Sequence, residues 1–170
     1  MQESIGVTGN RNAQHSFSVT PSVNLQRSAF NRSHAIKDTF DFDQLVPFFV
    51  DEVLPGDTVN LNVNAFARLA TQVVPYMDAS YLDYFFFYVP NRLVWDNWAK
   101  MLGEQDDPSD SVDYEVPYIE STGTGFDVGT VYDHMGIPTG VHNAENPLQI
   151  NALPFRAYNL IYKEWFRDQN

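Results

Sequence analysis

Four histidines, His15, His34, His134 and His142, and twenty-two acidic residues are the side chains of this 170-residue chain best suited to catalysis or metal binding. Asp133 and His134, with His142, would offer oxygen and imidazole ligands to a cation such as zinc. Their spacing matches no standard metal motif, and a surface or hydrogen-bonded histidine is the better reading. Asp106, Asp107, Asp110, Asp113 and Glu115 would gather a hard cation such as calcium. The glycine at the sixth position and the glutamate at the twelfth of an EF-hand loop are absent, which favours a solvated acidic loop. Asp51 and Glu52 are adjacent, and neighbours in an extended chain point to opposite faces, so they make a poor acid/base pair. Gly123-Thr124-Gly125-Phe126 lacks the third glycine of a dinucleotide fingerprint and reads as a turn. There is no cysteine, which excludes disulfides, thiolate zinc sites and cysteine nucleophiles. GxSxG, GxxxxGK[ST] and HExxH are missing. Asn31-Arg32-Ser33 is a glycosylation sequon in form only, because no apolar leader precedes it. These residue types and spacings assign no catalytic residue, no metal ligand and no cofactor.

The charge is unevenly placed. The net charge is −12. Residues 1–37 carry Arg11, Arg27, Arg32 and Lys37 against Glu3 alone, while no Lys or Arg occurs between Lys100 and Arg156. An acidic chain binds nucleic acid poorly overall, since phosphate contacts need cations. A basic arm on such a chain is the one place where phosphate would be met, and Arg27, Arg32 and Lys37 are its candidates.

These residues must be positioned by elements that the pattern suggests. Residues 1–37 read as an extended polar arm with a short strand at Phe17–Thr20. Leu54-Pro55-Gly56-Asp57 carries turn chemistry: Pro presets φ, and Gly supplies φ > 0. Val59, Leu61 and Val63 alternate with Asn60, Asn62 and Asn64, a period of two that predicts a half-buried strand through Phe66. Tyr81–Val89 is apolar or aromatic at nearly every position, so this second strand needs cover on both faces. Asn91 is an N-cap candidate. Val94, Trp95, Trp98, Met101 and Leu102 recur at helical spacing, with Gly103 placed to end a helix over 92–102. Residues 104–152 are rich in Gly, Pro, Asp, Ser and Thr and predict an acidic, loop-rich excursion with short strands. Pro154 opens a final helix on which Phe155, Tyr158, Tyr162, Trp165 and Phe166 share helical spacing.

Aromatic residues make up 15% of the chain, as thirteen Phe, nine Tyr and three Trp. So many rings belong in a core or at a partner surface. The longest apolar run, Tyr84–Val89, is strand-length and far short of the ~18 residues of a membrane helix. Two clear strands and two helices are too few to close a sandwich, so the pattern predicts part of a longer protein.

The run Leu45-Val46-Pro47-Phe48-Phe49-Val50-Asp51-Glu52-Val53-Leu54-Pro55-Gly56-Asp57-Thr58 resembles the major capsid protein of microviruses, the gokushovirus branch especially. So do Ala65-Phe66-Ala67-Arg68-Leu69-Ala70-Thr71, Met77-Asp78, Tyr81-Leu82-Asp83 and Phe85-Phe86-Phe87-Tyr88-Val89-Pro90-Asn91-Arg92-Leu93-Val94-Trp95. Further on, Leu153-Pro154-Phe155-Arg156-Ala157-Tyr158-Asn159-Leu160-Ile161-Tyr162 and Glu164-Trp165-Phe166-Arg167-Asp168 are similar too, as is Ser28-Ala29-Phe30-Asn31-Arg32-Ser33 near the start. The resemblance covers 16–103 and 151–170 well and 104–150 loosely.

It implies a mainly β chain that is part of an antiparallel jelly-roll β-sandwich of the viral coat type, with helical and long-loop insertions. Residues 1–37 would be the arm, and 38–103 the first jelly-roll strands with an amphipathic helix. Residues 104–152 would be the insertion, and 153–170 a helix leading into the rest of the sandwich. The implied function is a coat subunit that assembles with copies of itself into a T=1 icosahedral shell around the single-stranded DNA of a bacteriophage. Minor virion or scaffolding proteins and a host cell surface are further partners that the resemblance implies, with assembly in the bacterial cytoplasm and no membrane insertion. No catalytic residue comes with the family. In a shell, Arg27, Arg32 and Lys37 would face the packaged DNA and the acidic excursion would lie outward. The alternative from the residues alone is a free-standing β-sandwich that binds a carbohydrate or a receptor, its acidic loop holding calcium.

Overall fold

The computed structural model describes residues 26–110, 114–142 and 145–168. The strand expected at Phe17–Thr20 lies outside the described residues. The chain divides into two units, residues 1–35 and residues 36–170.

In the first unit, residues 26–35 are exposed and form no regular element. A local turn forms at its end. The Asn31 carboxamide oxygen accepts hydrogen bonds from the Ser33 amide (3.0 Å) and hydroxyl (2.6 Å), the short polar side chain standing in for a backbone turn.

In the second unit, Leu54–Asp57 makes the expected turn. The Asp57 amide donates to the Leu54 carbonyl at 3.1 Å. Gly56 takes φ +87°, the left-handed value that the third residue of a type II turn requires. The Asp57 carboxylate accepts from the Leu54 amide at 3.0 Å, which closes the turn from its other side.

Neither of the strands expected at 59–66 and 81–89 forms as regular structure, and no backbone hydrogen bond pairs either with another described segment. Side-chain alternation is written locally, whereas a ladder needs a second strand about 4.8 Å away. The described residues bring none to these two segments. The strand pair that does form lies in the excursion. β1 (Tyr118–Glu120) and β2 (Gln149–Asn151) are antiparallel, with Tyr118 opposite Asn151, Ile119 opposite Ile150 and Glu120 opposite Gln149. Ser121 prolongs the pairing, its amide donating to the Leu148 carbonyl at 2.9 Å and its hydroxyl accepting from the Leu148 amide at 3.0 Å.

The helix expected over 92–102 is split. A single 3-10 turn covers Asn91–Leu93, and one α turn, α1, covers Trp98–Met101. Asn97 sits at φ −83°, ψ 4° between them. Asp96 and Asn97 are weak helix formers that compete for their own backbone groups, and they interrupt the run. Asn91 does not cap through its side chain, since Pro90 holds the cap position. The end of α1 is as expected. Gly103 has φ +99°. Its amide bonds to the Lys100 carbonyl at 3.0 Å and the Glu104 amide reaches Ala99 at 3.1 Å, the paired bonds of a Schellman motif.

α2 (Val131–His134) and α3 (Leu153–Ile161) complete the regular elements, and α3 runs on into a π turn over Tyr162–Phe166. Pro154 lies in the first turn of α3, where its missing N–H has no partner to lose. The buried apolar residues among those described are Phe126, Ala152, Leu153 and Phe155. Tyr132 of α2 joins them as a bridge, its ring 4.6 Å from Phe126 and 4.8 Å from Phe155. The core therefore sits where the start of α3 meets the segment that composition marked as loop.

Candidate functional site

The surface best built for association is aromatic and centres on the extended segment 81–89. Successive side chains of an extended chain face opposite ways, and the rings follow that rule. On one side, Phe48 meets Tyr84 at 5.7 Å and Phe86 at 6.1 Å, both edge-on. On the other, Phe166 meets Phe85 at 5.3 Å and Phe87 at 6.1 Å, and Trp165 meets Phe87 at 5.8 Å. The second face, which the sequence left without a partner, is taken by the turn that ends α3. Both faces are only partly covered, since Phe85, Phe86 and Phe87 all remain exposed. Phe66, Val73 and Met77 are also 92% or more exposed.

Helices α2 and α3 reach back to residues on either side of the aromatic segment. The buried His134 imidazole pairs through Nδ1 with the Asp38 carboxylate at 2.6 Å. The Tyr158 hydroxyl donates to the Leu45 carbonyl at 2.8 Å. Burial pushes this phenol above its ordinary 10.0, and the neighbouring Tyr162 adds to the shift. Arg156 donates to the Val94 carbonyl at 3.2 Å. No sequence signal marks these contacts, because the partners stand 96, 113 and 62 residues apart.

The residues singled out for chemistry are placed as follows. Arg27 and Arg32 are exposed in the first unit, and Lys37 is exposed in the second. Asp133 accepts a hydrogen bond from the Gly129 amide at 2.8 Å, and His134 faces Asp38. His142 Nδ1 lies 3.4 Å from the Gly140 carbonyl. His34 Nδ1 lies 3.1 Å from the Arg32 carbonyl, and His15 falls outside the described residues. In the acidic loop, Asp110 Oδ2 accepts from the Asp107 amide at 3.2 Å and Asp106 lies 3.9 Å from Lys100 Nζ. Asp113 is outside the described residues, among which no three acidic or histidine side chains converge on a cation position. Asp51 caps the Glu52 amide at 2.8 Å. At Gly123-Thr124-Gly125-Phe126 the expected turn is present and tight. The Gly125 amide bonds to the Thr122 carbonyl at 3.0 Å, and the Thr122 hydroxyl donates to the Gly125 carbonyl at 2.9 Å. No helix among the described residues is long and apolar enough to cross a membrane.

The segment 81–89 thus carries rings on both sides and is flanked by residues tied to α2 and α3 through long-range contacts. Residues 18–170 match the profile of the family described as Capsid protein (F protein). The chain belongs to that family. Capsid protein VP1 of Bdellovibrio phage phiMH2K is 62% identical over 162 residues, which is 95% of this chain and 30% of that protein. Capsid protein VP1 of Chlamydia phage 1 is 46% identical over 160 residues, 91% of this chain and 26% of the relative. Capsid protein VP1 of Spiroplasma virus 4 is 34% identical over 157 residues, 92% of this chain and 28% of the relative. The chain thus spans under a third of the length of these relatives. The family match includes the acidic middle, which the motifs had tied to the family only loosely. It also sets aside the free-standing binding module.

Proposed function

We propose that this chain is the part of a major capsid subunit that contributes the arm, the first jelly-roll strands, the loop-rich insertion and the helix after it. The 62% identity to a capsid protein VP1 across 95% of the chain carries the reading. Physical support comes from the described side chains. Phe30, Phe66, Met77, Tyr81 and Tyr88 are each more than three-quarters exposed, and large apolar side chains left in water in this number suit surfaces that a partner covers. The remaining jelly-roll strands would pair with 59–66 and 81–89, and neighbouring copies would cover what the sandwich leaves open. Closed shells form through many repeats of one modest contact, which suits partly exposed rings with polar rims.

In this reading the shell is a T=1 icosahedron around single-stranded DNA. Arg27, Arg32 and Lys37 face inward to phosphate, and the acidic insertion faces outward toward the host surface or a neighbour. Expression of the complete subunit, followed by sedimentation and electron microscopy, tests the assembly. Uniform closed particles are expected, and a soluble monomer at all concentrations overturns the reading. For the basic residues, replacing all three with Gln weakens DNA retention and flattens its dependence on salt, since each lost phosphate contact removes about 0.7 from the log–log salt slope for a single strand. Unchanged retention and unchanged slope remove the inward placement.

A further inference from the structure

We propose that residues 38–45 form a strap that opens as a unit, held to α2 and α3 at its two ends and free of any ladder between them. At the first end, both Asp38 oxygens are engaged. Oδ2 pairs with the buried His134 at 2.6 Å, and Oδ1 accepts from the Thr39 amide at 2.7 Å. His134 itself is buried, on the same short helix as Tyr132, whose ring meets Phe126 and Phe155. At the second end, the Leu45 carbonyl accepts from Tyr158 on α3. Between these anchors no hydrogen bond, ion pair or ring contact ties residues 39–44 to another described segment. Phe40 and Phe42 are exposed. Asp43 sits at φ +63°, a left-handed conformation that costs a non-glycine residue free energy and that the two anchors must hold.

Local opening of a segment costs what its own contacts contribute, not the stability of the whole. The strap has two point contacts and one unfavourable backbone conformation, so it yields before the core behind it. Lys37 immediately precedes Asp38, so the strap sets whether the root of the basic arm is fixed. That use rests on the capsid reading. The existence of the strap does not.

Limited digestion of the 170-residue chain with chymotrypsin tests it, with cleavage sites mapped by mass spectrometry. Cleavage after Phe40 or Phe42 reports strap opening, and cleavage after Phe126 or Tyr132 reports loss of the core. When opening is fast compared with cleavage, the rate follows the open population. Asp38→Ala and Tyr158→Phe are each expected to raise cleavage at Phe40 or Phe42 about tenfold, the effect of losing one hydrogen bond, with cleavage at Phe126 and Tyr132 unchanged. Unchanged rates in both variants overturn the proposal, because the contacts would then not be the anchors. Equal acceleration at the strap and core sites also overturns it, because the anchors would then belong to global folding. So does a wild-type chain cut equally fast at both sets of sites.

Discussion

Replacing Phe166 with Ala tests whether the turn after α3 covers the aromatic segment as the geometry indicates. Phe166 meets two rings, Phe85 at 5.3 Å and Phe87 at 6.1 Å, both near perpendicular. Each edge-on pair contributes about 0.5–1.5 kcal/mol beyond the area it buries. With the burial of a half-buried ring added, Phe166→Ala should cost about 2–3 kcal/mol. Trp165 is the larger residue, yet it is 73% exposed and makes one tilted contact, to Phe87 at 5.8 Å. Trp165→Ala should therefore cost only about 1 kcal/mol. A ranking by side-chain size predicts the opposite order. Urea unfolding followed by circular dichroism measures both, and a double-mutant cycle isolates the pair. Phe85 and Phe166 should couple by about 1 kcal/mol, whereas Phe85 and Trp165, which share no ring contact, should couple by less than about 0.5 kcal/mol. A larger cost for Trp165→Ala, or no coupling between Phe85 and Phe166, would refute the assignment of this face.

The remaining predictions concern the core segment and its ties. Gly125 has φ +85°, and a Cβ there would stand 2.8 Å from the Val141 nitrogen and oxygen; Gly125→Ala should cost about 2 kcal/mol or more in thermal unfolding, while Gly123→Ala, with open space around it, should stay within about 0.5 kcal/mol. Tyr158→Phe removes the bond to Leu45 and should cost about 0.5–1.5 kcal/mol at neutral pH. The folded Tyr158 pKa is raised above 10.0, so the unfolded chain ionises first. Its contribution is intact below pH 10 and is lost as pH rises through the folded value. The gap between wild type and Tyr158→Phe should accordingly narrow above pH 10, and a gap that widens there would contradict the burial of the hydroxyl.

Features encoded within a few residues were legible in the sequence. The Leu54–Asp57 turn and the Gly103 helix end follow from Pro and Gly at fixed offsets, and both are present. The nearly unbroken apolar and aromatic run of 81–89 implied two apolar faces, and Phe48 and Phe166 meet one each. What the local pattern does not carry is the partner. Residues 59–66 and 81–89 have strand composition and no ladder among the described residues, because pairing depends on chain that is distant in sequence. The core was not legible for the same reason. Phe126 lies in polar sequence and is linked to Phe155 of α3 only through the ring of Tyr132. The Asp38–His134 pair joins residues 96 apart, beyond any periodicity. The family motifs fared better than periodicity, since long ordered runs encode membership without requiring the contacts to be known.

The most direct test of the capsid account is a side-chain-resolution electron cryomicroscopy structure of particles formed by the complete subunit. The account predicts a closed shell in which the backbone of 81–89 is paired on both edges within an antiparallel jelly roll, with Phe48 and Phe166 still on its two faces. A particle in which 81–89 remains unpaired, or a subunit that forms no closed particle, would contradict it.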